Sequence, residues 1–287
     1  MINIFFESFD DFFKYLNKVS RTFQYDYIYI DAFFLAIWLS ILIKKKKWNP
    51  ILYGLFTAVI VYIIDAVIWW NTPAGANYPL GTTIREYYIG GIGGIKMPHP
   101  IGEYFWVKFG VDFMMDISYS LFAFGWLWIM FENYTKRNYR EILLFTSLFF
   151  GSWMLTPLIS ELLPFNNTIV YTVRHMDTQI LIWIINVFAG YSLLFIIYGT
   201  GKWRKKDYKL IGYVFLIGVL ESFFMEFPLN IFHIRPMGFL LFVYELFFLF
   251  NQGAPYLWIL QTELLPFLSN KLLKKKAEKS IANLIKA

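Results

Sequence analysis

The sequence predicts an all-α integral membrane protein with seven transmembrane helices, its N-terminus outside and its C-terminus cytoplasmic. Three observations carry that reading. Hydrophobic residues make up 58 % of the 287 and charged residues 16 %, against roughly half and a quarter in an ordinary soluble domain. Seven stretches are apolar over the roughly 20 residues that a helix needs to cross a bilayer core. The basic residues fall in alternate connections, as the positive-inside rule demands.

Residues 1–26 come first. Phe5, Phe9, Phe12, Leu16, Val19 and Phe23 recur at helical spacing, with Glu7, Asp10, Asp11, Lys14 and Lys18 between them. That pattern predicts an amphipathic helix lying on the outer interface. Its acidic start and the lack of a small-residue cleavage site argue against a signal peptide. The spans are placed at 27–43, 50–70, 104–131, 141–163, 178–199, 209–232 and 236–265, within one transmembrane domain, 27–268. They are too long for barrel strands and lack the required alternation. The remainder, 269–287, is a basic tail suited to an anionic cytoplasmic leaflet.

Charge sets the orientation. Eighteen of the 26 basic residues lie in "KKKK" after the first span, Lys136, Arg137 and Arg140 after the third, "KWRKKDYK" after the fifth, and the tail. Seven lie in the N-terminal segment and the connections after the second, fourth and sixth spans, and Lys108 is inside a span. The longest connection, 71–103, is outside, carries "IGGIGG" and is long enough to cap a pocket. "MLTPL" and "MEFPL" place Pro157 and Pro228 at matching depths in two spans, a pattern that can mark paired broken helices.

Several chemistries are excluded. Without cysteine there is no disulfide, zinc–thiolate site, iron–sulfur cluster or cysteine nucleophile. Gly-rich phosphate loops, GxSxG and HExxH are missing too. The topology is that of rhodopsins, but 236–265 contains no lysine for a retinal Schiff base. The DxxxD of Asp112 and Asp116 resembles one half of the aspartate motifs of membrane prenyl- and alcohol-phosphate transferases, whose second acidic motif this chain lacks. No motif implies a cofactor, a nucleic-acid partner or an oligomeric state.

The polar residues inside the spans point to function. Asp31, Asp65, Glu161, Glu226, Asn230 and Glu245 fall in the outer halves, with Asp112, Asp116 and Glu221 nearer the midplane; Asn251 and Gln252 are the deepest polar pair on the inner side. A charge at the bilayer centre costs about 3 kcal/mol, so such groups face a cavity or a partner. The expectation is a polar cavity open to the outside and sealed below by aromatic packing. Lys108, Asp112, Asp116 and Ser120 form one stripe at spacings of four, in which Lys108 can pair with Asp112. Asp116 has no basic residue in reach on its own helix and is the candidate for proton transfer. Ser222, Glu226, Asn230 and His233 form a second stripe.

Asp116, Glu221, Glu245 and Asp112 are therefore the candidate catalytic acids. Lys108, Ser120, Glu226, Asn230, His233, Arg174 and Arg235 are the candidate substrate-binding groups. His99, His175, His233 and Glu103 could supply metal ligands, though no two histidines have i, i+4 spacing. The function expected is acid–base catalysis on a lipid or isoprenoid-type substrate within the cytoplasmic membrane. A proton- or cation-coupled transporter and a non-catalytic receptor are the alternatives.

Overall fold

The computed structural model describes residues 19–175, 180–235, 238–249 and 251–271. Among these, six helices are long and apolar enough to cross a membrane: α1 Asp26–Lys44, α2 Trp48–Trp69, α3 Gly102–Lys136, α4 Tyr139–Leu162, α5 Ile180–Tyr198 and α6 Tyr208–Ile231. They are the first six predicted spans with shifted ends, and they make the chain a multi-pass membrane protein by length and composition. Local chemistry sets the ends. Asn138 accepts from the Glu141 amide to start α4, and Asp207 accepts from the Leu210 amide to start α6. Arg137 takes a left-handed conformation, φ 50°, where α3 stops.

The last predicted span, 236–265, is not one helix. It divides into α7 Phe239–Tyr244, continued by a π-helical turn at Glu245–Leu249, and α8 Gly253–Ile259, continued by a second at Leu260–Leu264. Asn251 and Gln252 lie in the turn between the two. Their polar side chains have partners there: Tyr191 donates to Asn251 at 2.6 Å, and Asn186 donates to Gln252 at 3.3 Å. Irregular backbone at such depth is tolerated where it is buried or faces a cavity. The helices that carry Pro157 and Pro228, by contrast, run through them unbroken.

The fold is also not purely helical. Among the described residues, β1 Val19–Gln24, β2 Arg85–Ile89, β3 Ile95–Lys96 and β4 Ile169–Arg174 form an antiparallel sheet in the order β1-β4-β2-β3. Thus 19–24, the end of the expected amphipathic helix, is a strand; its first 18 residues lie outside the described ones, as does most of the basic tail. The strands come from before α1, after α2 and after α4, so they gather at one end of the bundle. At the other end Lys47, after α1, bonds Glu132 at 3.0 Å and Glu141 at 2.7 Å, tying α3 to α4.

Between the two ends the bundle is packed with rings. Trp38, Phe122, Trp126, Phe145 and Phe149 are buried, with ring centroids 5.3 Å apart for Trp38 and Phe122 and 5.7 Å for Trp126 and Phe149. The buried Trp38 indole donates to the Leu121 carbonyl at 3.1 Å, so a polar group in apolar surroundings is satisfied. Gly54 of α2 lets that helix lie against the α3 backbone, since a Cβ there would stand 3.0 Å from the Leu121 Cα. Small residues at such crossings increase dispersion contact, which holds helices together where lipid removes the hydrophobic drive.

Candidate functional site

The sheet positions the site. Side chains alternate along a strand, and residues directly opposite on paired strands share a face. Arg21 is opposite Thr172, which is opposite Tyr87; Arg174 is opposite both Val19 and Arg85. One face therefore carries Arg21, Arg85 and Arg174 together with Val19, Phe23 and Tyr87. Of these only Arg174 is not fully buried. Three guanidinium groups thus look down into the bundle from its sheet-covered end.

Carboxylates rise to meet them from π-helical turns. Asp65 sits in such a turn at Ile63–Trp69 of α2, and Asp116 in another at Phe113–Ser118 of α3. Arg174 bonds Asp65 directly, and Arg85 Nε lies 3.8 Å from its other oxygen. Asp65 and Asp116 line the same cavity. Oδ1 of each is buried and has no hydrogen-bond partner among the described residues.

Asp65, Asp116, Arg21 and Arg174 line one end of a cavity of about 510 Å³, whose walls include Val61, Ile64, Phe124, Ile182 and Trp183. Asn186, Gln252 and Gly253, where the last segment is broken, also line it. A second arm of the charge network runs behind. Arg21 bonds Glu226 at 3.3 Å, Arg235 bonds Glu226 at 2.8 Å, and Arg235 also bonds Glu245, which opens the π-helical turn after α7. Burial lowers the Arg21 guanidinium to about 10, with Glu226 opposing that shift.

The stripe expected on α3 is split. Asp112, one residue before the π-helical turn, pairs with Lys108 at 2.6 Å and accepts from the Tyr87 hydroxyl. The Lys108 ammonium also donates to the Ala66 carbonyl at 3.0 Å and lies 4.3 Å from the Trp70 ring centre. Lys108 and Asp112 line a separate cavity of about 160 Å³. The extra residue that a π-turn inserts rotates the helix beyond it, so Asp116 faces the larger cavity instead. Ser120 is buried but lines neither, and Glu221 is buried beside Tyr119 and Glu226.

The remaining candidates scatter. His99 is exposed and stacks on Trp70, with centroids 4.0 Å apart. His233 and Glu103 are exposed, and Asn230 is half-buried. His175 is buried on the far face of the sheet, 3.3 Å from Glu86. Burial alone would raise the Glu86 carboxyl, but hydrogen bonds with His175, Lys96 and Tyr88 outweigh it and hold the group at about 2. Among the described residues no three His, Asp or Glu side chains come together as a metal site, so His99, His175, His233 and Glu103 do not converge.

Sequence reasoning missed Arg21, and it did not join Arg85 and Asp65 to Asp116. The signal was present in part: Val19, Arg21 and Phe23 alternate with Ser20 and Thr22, which is strand spacing. No protein family, no curated protein and no solved structure matches the chain.

Proposed function

We propose that the chain is a membrane-embedded enzyme that performs acid–base chemistry on a lipid or isoprenoid-type amphiphile, with Asp116 transferring the proton. The observation that carries this reading is the placing of two buried acids, Asp116 and Asp65, beside arginines in one largely apolar cavity. Paired carboxyls beside fixed cations can supply one site with both a proton donor and a proton acceptor. Arg174 and Arg85 hold Asp65 in place, so Asp116 is the member of the pair left to face a substrate. Glu226 and Glu245 position Arg235 and Arg21, while Asp112, tied to Lys108 and Tyr87, has a structural role. The sheet end is the outer end, and the last, broken segment completes a seventh crossing; the basic residues at the opposite end support both assignments.

The test is lipid profiling by mass spectrometry of cells that express wild-type protein or Asp116→Asn. Wild type should deplete one lipid and accumulate its product, and D116N should do neither while purifying as a folded protein. Equal turnover by D116N would remove Asp116 from the mechanism. One observation favours transport instead: the break at Asn251 and Gln252 reaches the cavity, as discontinuous helices do in transporters. Counterflow in proteoliposomes decides that point, since an enzyme open to one side gives none.

A further inference from the structure

The cavity has a wall that is also the outer surface of the bundle. Ile64 of α2 and Ile182 of α5 both line it, yet they are 38 % and 55 % exposed. Trp69 and Trp183 bring the two helices together at the sheet end, with ring centroids 6.4 Å apart. Beyond them α2 and α5 present Val59, Ile60, Ile63, Ile185 and Phe188 outward, an apolar surface suited to lipid. A gap in that position opens sideways into hydrocarbon.

Charged groups crowd the gap. Arg21, Arg85, Arg174 and Arg235 meet Asp65, Glu226 and Glu245, and Asp116 lines the same cavity. A buried guanidinium N–H without a partner is costly, and an anion there removes the cost. Arg174 is placed to supply the contact. Its Nε has no partner among the described residues, and its guanidinium lies 5.0 Å from the centre of the Trp69 ring at the edge of the gap.

Resting on the reading of this cavity as the substrate site, we infer that its ligand is an anionic amphiphile that enters from the bilayer between α2 and α5. Its phosphate or carboxylate headgroup rests on Arg174 and Arg21, and its tail lies between Ile64 and Ile182. A volume of about 510 Å³ suits one compact ligand, whose class occupies roughly 300–1,000 Å³. The headgroup and first part of the tail are enclosed, and the rest stays in lipid.

The experiment measures binding of dodecyl phosphate, inorganic phosphate and dodecanol to the full chain in a non-ionic detergent, through the thermal unfolding midpoint and a titration. Dodecyl phosphate should bind and raise the midpoint, and the other two should not at equal concentration. Ile182→Trp fills the gap from an exposed position, leaves every ion pair in place, and should weaken dodecyl phosphate at least tenfold. Arg174→Gln should weaken it on the order of tenfold, the value of one charge-assisted hydrogen bond. Because R174Q alone strands Asp65, the double variant R174Q/D65N repeats that measurement with the buried charge removed.

Equal binding of dodecanol, or dodecyl phosphate binding untouched in both arginine variants, would overturn the anionic headgroup. Inorganic phosphate that binds as well as dodecyl phosphate, and regardless of I182W, would overturn the lateral route in favour of a free anion from water. Identical lipid profiles for wild type and D116N, with dodecyl phosphate binding still dependent on the gap, would sink the enzyme reading and uphold this one.

Discussion

Arg235 holds two carboxylates at once, Glu226 and Glu245, while only 2 % exposed. Replacing it with methionine leaves both acids without that buried cation. R235M is therefore expected to lower stability by about 3–5 kcal/mol, and R235M/E226Q/E245Q to recover most of it; chemical unfolding in detergent measures both. Glu86 makes a prediction in pH. Its carboxyl stands at about 2 against an ordinary 4.5, so a depressed folded value makes its contribution full above 4.5. That contribution is lost as pH falls toward 2. Glu86→Gln should lower the unfolding midpoint at pH 7 and shrink the difference from wild type at pH 3. At this scale the sequence disclosed local partners and hid distant ones. Lys108 and Asp112 are four apart on one helix, and their pairing was readable. Asp65 and Asp116 are brought together by two helices crossing, which no spacing encodes.

The π-helical turns decide which way the acids face. Of the four such turns among the described residues, those at Ile63–Trp69, Phe113–Ser118 and Glu245–Leu249 each carry one carboxylate of the charge network. Deleting Ile117 should convert the α3 turn to ordinary helix and swing Asp116 away from Asp65. Turnover is then expected to fall as far as in D116N, with helix content by circular dichroism unchanged. The Gly54 crossing gives a second test: Gly54→Val drives α2 off the Leu121 backbone and should destabilise by about 1–3 kcal/mol. Helix positions were legible because apolar length fixes them. The strands were not, because Val19 and Phe23 are an even number apart and fit a strand as well as a helix. Asn251 and Gln252 were visible as a deep polar pair, but the break they form depends on Tyr191 and Asn186 from another helix.

For the whole molecule, the absence of cysteine is an experimental convenience. Ile92 and Trp203 are each 75 % exposed, in connections at opposite ends of the bundle. Single variants I92C and W203C should react with a membrane-impermeant maleimide from opposite sides, I92C in intact cells and W203C only after permeabilisation. Labelling of both from one side would contradict an odd number of crossings between them. The order of strands has a separate bearing on how the chain is made. In β1-β4-β2-β3 the last strand to leave the ribosome, β4, fills the slot between two made earlier. Asp65 and Asp116 are thus delivered to the membrane before Arg174 exists, with Arg21 and Arg85 the only members of the arginine face yet synthesised. β2 and β3 can pair before then, but β1 is joined to them only when Ile169–Arg174 arrives, so that short strand closes the cap.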